Sequence, residues 1–219
     1  MMAGRRLALT ATAALMLSGI GTEYAHRTGW RLNLTASEPR GFYRLRPIGS
    51  SPLPRGTLVT LCPPAWVTPA AFPFYMTGDC PGGGRTLLKT VVGIPGDRIE
   101  ASPEGIRING VLLPDSVPMR RSDRYPEIRL PQWHGAIVLG PRQYWVYGRG
   151  ARQALAARSF DSRYFGPVSA SELRGRTGYR SWLSASAHAA TQTHSPADLL
   201  AGLFGNLTFL LSFLWPWGI

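Results

Sequence analysis

"TLLKTVVGI", residues 86–94, is a run of apolar and β-branched residues closed by "PGD" at 95–97. Its shortness and its Gly and Pro punctuation make it a strand. It carries Lys89, the only lysine among the 24 lysine and arginine residues of the chain. Arginine keeps its proton in a protein, whereas lysine gives it up when burial makes the ammonium costly. Leu87, Leu88, Val91, Val92 and Ile94 surround Lys89, and strand alternation puts it on the face of Leu87 and Val91. If that face is core, the amine is a base near neutral pH. The alternative is a lysine at a strand end whose head reaches water.

Strands of the same kind lie around it. "RGTLVTLC" (55–62) is one, and "DRIEASPEGIRINGVLL" (97–113) alternates about Ser102–Gly105 before reaching Asn109-Gly110. Asn-Gly tolerates the positive φ angles of a type I′ turn, so this stretch reads as tight hairpins. "GAIVLGPRQYWVYGRG" (135–150) supplies two more strands about Gly140-Pro141, and "ARQALAAR" (151–158) reads as a loop insertion, with two helical turns as the alternative. The expected fold is mainly β, an antiparallel sheet domain over residues 26–180.

The ends differ in character. Arg5 and Arg6 precede "LALTATAALMLSGI" (7–20), which has no charge. A basic start and an apolar run make residues 1–25 a signal or membrane anchor helix, with the arginines cytoplasmic and the rest exported. Anchoring is preferred to cleavage, since Glu23 stands where a cut after Ala25 wants a small residue, although Gly19 and Gly21 would serve; a buried helix is the remaining alternative. Residues 181–198 are small and polar, a linker. Residues 199–219 are hydrophobic, and Leu199 to Trp215 would span roughly 26 Å as a helix, either a second membrane crossing or an interfacial helix, with a packed core helix as the third alternative.

The net charge of +12 admits nucleic acid or an anionic membrane as partner. Zinc spacing, a helix-turn-helix pattern and a basic–aromatic stripe are absent, and the N-terminal segment favours the membrane over nucleic acid. Cys62 and Cys80 agree with export. They are expected to pair, contributing about 3 kcal/mol in the chain-entropy model, with two buried thiols as the alternative. No metal or cofactor is implied. "GDCPGGGRT" (78–86) lacks the Lys-Ser/Thr ending of a phosphate loop, and His26, His134, His188 and His194 have no Gly-x-Ser-x-Gly elbow to serve.

A lysine base needs a nucleophile. Ser37 in "TASEPRGFY" (35–43) lies among turn-forming residues, where a hydroxyl is presented and a backbone N–H is left free for an oxyanion. By itself it is an ordinary loop serine. The run Asn33-x-Thr35-x-Ser37-x-Pro39-x-Gly41-x-Tyr43, then "CPGGGRTLLKTVVGIPGD" (80–97), then "SFDSRYFGPV" (159–168) occur in that order. Together they resemble the membrane-bound signal peptidase family with its Ser/Lys dyad, and more closely its conjugative-transfer branch, the TraF-type pilin-maturation peptidases. The Cys-Pro-Pro and Cys-Pro-Gly pair adds to that likeness, while the Ser-Met-x-Pro of general signal peptidases is absent.

The resemblance implies a signal-peptidase-like fold and a serine endopeptidase at the outer, periplasmic face of a bacterial inner membrane. Its substrate would be an exported precursor, a conjugative pilin propeptide, with head-to-tail cyclisation as a further step. Ser37 would be the nucleophile and Lys89 the general base. The Ser37 N–H and the Thr35 hydroxyl would hold the oxyanion, and Ser159 would orient the amine. Asp161, tied to activity in that branch, would pair with Arg163, the plainer reading being a surface ion pair. Pro39, Gly96 and Asp97 would be structural residues near the site. The Gly-Asp-Asn that precedes the third segment in signal peptidases is missing, and "GRGARQALAAR" (148–158) stands there. A housekeeping signal peptidase and a non-catalytic component of a mating channel are the competing readings.

Overall fold

The computed structural model describes residues 2–35, 37–149, 156 and 158–180. The anticipated linker, the C-terminal hydrophobic segment and most of the 151–158 insertion lie outside them. Helix α1 (Met2–Arg27) leads into β1 (Trp30–Asn33) and β2 (Gly41–Arg46), followed by β3 (Leu58–Leu61), β4 (Leu87–Gly93) and β5 (Arg98–Ser102). Then come β6 (Gly105–Ile108), β7 (Val111–Leu112), β8 (Gly135–Val138), β9 (Gln143–Tyr147), α2 (Ser162–Phe165), β10 (Val168–Ser169) and β11 (Leu173–Arg180). They form a seven-stranded sheet, order β1-β2-β11-β3-β4-β9-β10, and a four-stranded sheet, order β7-β6-β5-β8. Every described pairing is antiparallel, as the strand pattern implies.

The lysine strand is central. β4 is buried along its whole length between β3 and β9. Its side chains alternate between two cores: Leu87 and Val91 pack with Val59, Val146 and Phe160, while Val92 packs with Ile99, Trp145 and Tyr147. Leu88 meets Tyr43 of β2, although β11 and β3 separate the two strands in the hydrogen-bonded order. The sheet is therefore coiled, and β2 is brought over β4.

The smaller sheet holds the anticipated hairpins. Asn109 and Gly110 have φ of +52° and +80°, the two positive angles a type I′ turn needs. The strands flanking Gly140-Pro141 part company: β8 pairs with β5, and β9 with β4 and β10. At the end of β4, Gly96 takes φ +89°, and Asp97 accepts from the Ile94 N–H at 2.7 Å and Asn109 Nδ2 at 2.9 Å and pairs with Arg55. These bonds tie the lysine strand to the smaller sheet.

Cys62 and Cys80 form a disulfide. The loop they close is part of the core, because Val67, Phe72 and Tyr75 are buried and the Phe72 ring lies 5.2 Å from that of Phe160. A Cβ at Gly84 would fall within 2.6 Å of three Tyr75 ring atoms. Gly84 is thus a flat seat for an aromatic ring.

α1 reaches two residues past the anticipated segment, and no helix among the described residues is long and apolar enough to cross a membrane. Thr10, Thr12, Ser18 and Gly19 dilute its apolar run, which Arg5, Arg6, Glu23 and Arg27 flank. Leu15, Met16, Leu17 and Ile20 nevertheless stand exposed on it. Replacing both cysteines by serine should lower the stability of the folded body by about 3 kcal/mol. Thermal melting should then show a midpoint roughly 6–12 °C lower. An unchanged midpoint would mean the aromatic packing of the loop suffices without the bond.

Candidate active site

Ser37 lies on the loop between β1 and β2, closed below by the pair Asn33–Gly41. Asn33 is fully buried and builds this loop from inside. Its Oδ1 accepts from the Thr35 N–H at 3.0 Å and the Thr35 hydroxyl at 2.7 Å. Its Nδ2 donates to the carbonyls of Glu38 and Pro39, each at 3.1 Å. The Tyr43 hydroxyl also donates to the Pro39 carbonyl. The turn is therefore held by side chains of its own hairpin. Ser37 Oγ lies 3.2 Å from Thr35 Oγ1. Since the Thr35 proton is directed to Asn33, Ser37 is the donor of that pair. Thr35 would assist an oxyanion only by turning its hydroxyl away from Asn33.

Lys89 has no exposed surface. Val59 of β3 stands opposite it, and the register Thr90–Tyr147 carried one residue further brings Gly148 alongside. Its Nζ makes no hydrogen bond to any described residue, and the buried hydroxyl of Ser159 makes none either. Neither Ser37 nor Ser159 is thus bonded to the amine in this resting arrangement. Burial pulls the Lys89 amine down from 10.5 to about 8, against the negative charges of Asp161 and Glu38 and with help from Arg163. The neutral form gains roughly 3 kcal/mol over its standing in water. Such an amine can accept a proton.

Asp161 and Arg163 are both fully buried and paired, with Arg163 Nε 2.8 Å from Asp161 Oδ1. The surface-pair reading is corrected here: Asp161 caps α2 and accepts from the Arg163 and Gly148 N–H groups, at 3.2 and 3.0 Å. Arg163 donates to the carbonyls of Ala156 and Ser159 at 2.8 and 2.7 Å, and its guanidinium lies 4.8 Å from the Tyr147 ring centre. Removing one member of such a pair strands the other's charge without water. The pair fixes the segment that carries Ser159.

Gly148 joins the pieces. A Cβ there would meet Ser159 Oγ at 1.9 Å, Ser159 Cβ at 2.4 Å and the Ser37 carbonyl oxygen at 3.2 Å. The serine turn and Ser159 therefore converge on the missing side chain of the residue beside Lys89. That convergence joins segments far apart in the chain. The family model "Signal peptidase, peptidase S26" matches residues 4–182. The chain belongs to this signal peptidase family.

Membership indicates a serine peptidase. The chain is similar to the conjugal transfer protein TraF of Agrobacterium tumefaciens, 36% identical over 77% of this chain and 92% of that protein. It is also similar to a plasmid transfer protein TraF of Escherichia coli, 30% identical over 76% of this chain and 88% of the other. A probable conjugal transfer protein TraF of Sinorhizobium fredii is 32% identical over 76% and 85%. A solved signal peptidase I from Enterococcus faecalis overlaps 58% of this chain and 98% of its own at 19% identity and a TM-score of 0.31. The family assignment rests on the sequence matches, and they support a peptidase-like role in conjugation.

The sequence reading passed over three residues. Asn33 stood in the quoted run without a role, although an Asn at a strand end is a ready side-chain clasp for a turn. Gly148 was hidden by the missing Gly-Asp-Asn, yet it and Arg149 supply backbone N–H groups to Asp161 and Glu38. Glu38 has no role in the sequence reading, yet it is 1% exposed and accepts from Thr90 Oγ1 at 2.9 Å. Gly148→Ala should displace Ser159 and the serine turn and reduce precursor cleavage by roughly 10²-fold, since small misplacements of reacting groups have that effect. Near-wild-type cleavage by a folded Gly148→Ala chain would mean the convergence on this glycine does not matter.

Proposed function

We propose that this chain is a membrane-associated serine endopeptidase that processes an exported precursor, a conjugative pilin propeptide. Ser37 is the nucleophile and Lys89 its general base. One observation carries the reading: the sole lysine of the chain is fully buried, its amine has no bonding partner among the described residues, and the serine turn reaches Gly148 beside it. In cleavage, the Ser37 hydroxyl turns from Thr35 and gives its proton to the Lys89 amine as Oγ attacks the scissile carbonyl. The Ser37 N–H faces the oxyanion. As the peptide C–N bond breaks, Lys89 returns the proton to the leaving amine and an acyl-enzyme remains. Water releases it as an acid; the precursor's own terminal amine would release it as a ring. Family membership and the TraF relatives support the substrate class, the exposed apolar side chains of α1 support membrane association, and Arg5 and Arg6 ahead of them favour the periplasmic side for the rest.

Mass spectrometry of the pilin from cells carrying each variant tests this. Ser37→Ala should leave unprocessed precursor. Lys89→Arg keeps the charge and removes the base, and should do the same. Processing by Lys89→Arg at the wild-type rate would contradict the dyad. A product lighter than the linear form by one water would identify ring closure.

A further inference from the structure

Glu38 follows Ser37 and Thr90 follows Lys89, and the bond from Thr90 Oγ1 to Glu38 Oε1 at 2.9 Å joins the two pairs. It connects the serine turn directly to the lysine strand. Glu38 Oε1 also accepts from the Arg149 N–H at 3.4 Å, just past β9. The acid is almost wholly buried, yet it forms no ion pair among the described residues. A carboxylate in that position is costly unless a positive charge answers it. The charged groups that act on it are Lys89 and Arg149, while Lys89 itself feels Asp161, Glu38 and Arg163. Asp161 and Arg163 are taken up with each other. That leaves Glu38 as the acid without a charged bonding partner.

Building on the proposed dyad, we propose that Glu38 is a positioning residue: through Thr90 it clamps the serine turn onto the lysine strand, and its carboxylate is the counter-charge for the ammonium of Lys89. When the amine takes the Ser37 proton, a positive charge appears in a site buried from solvent. Glu38 is already there to answer it. The carboxyl is raised to about 7 by burial, opposed by Lys89 and by the bonds from Thr90 and Arg149. Glu38 is therefore ionised in the same range where Lys89 becomes uncharged.

The test uses the full chain and a peptide copied from the processing site of the cognate pilin precursor, with kcat/KM followed against pH. Glu38→Gln keeps an oxygen for Thr90 and removes the charge. Its acid limb should move to lower pH, because the amine is easier to deprotonate, and its plateau should fall, because the base is weaker. Thr90→Val should lower kcat by roughly 10²-fold, and Thr90→Ser should restore it. A Glu38→Gln limb identical with wild type, beside an inactive Lys89→Arg, would overturn the role of Glu38 and leave the dyad standing. Should Glu38→Gln fail to fold, the Thr90 pair decides, and a Thr90→Ser no better than Thr90→Val overturns the clamp. An active Lys89→Arg would remove the dyad and this role with it.

Discussion

A lysine amine enclosed in protein must find a partner for its charge or give up its proton, and Lys89 is held where the second outcome is within reach. The position is central: β4 is covered on both faces, and the amine has no bonding partner among the described residues. Its lowered proton affinity follows from burial, tempered by Asp161 and Glu38. Asp161 is engaged by Arg163 from the same turn, and the amine forms no bond to it.

The rest of the fold braces this arrangement. The disulfide-closed loop packs Phe72 on Phe160, and Phe160 stacks on Tyr164 at 5.1 Å between ring centres. Ser159 and Asp161 flank Phe160 in sequence, so the aromatic cluster sets where both stand. On the other side, Asp97 holds the end of β4 to Asn109 of the small sheet and to Arg55. Coiling of the large sheet lays Tyr43 over Leu88, and the Tyr43 hydroxyl then reaches the Pro39 carbonyl of the serine turn. Each contact joins a site segment to a core, so precision in the site draws on the packing beneath it.

The strands, the Asn-Gly hairpin and the central place of Lys89 were legible because they depend on local rules: alternation, turn chemistry and apolar neighbours. The disulfide was legible for a similar reason, as two cysteines in an exported-looking chain. What escaped notice depends on partners distant in sequence. Glu38 is buried only because Thr90 and the Arg149 backbone receive it, and nothing in "TASEPRGFY" reveals either partner. Gly148 matters because Ser159 and the Ser37 carbonyl crowd against it, which a single Gly in a loop does not announce. The separate sheets of β8 and β9 escaped notice too, since Gly140-Pro141 reads equally well as a hairpin turn or as a crossing between sheets.

Because Lys89 is the only lysine, its state can be read without assignment. Incorporation of lysine labelled with 13C at Cε gives one side-chain resonance from the full chain, and its shift followed from pH 6 to 11 reports the amine directly. A midpoint near 8 is the result this account predicts. A midpoint at the ordinary lysine value of 10.5 would mean the amine stays charged at physiological pH, and the proposed base would be lost with it.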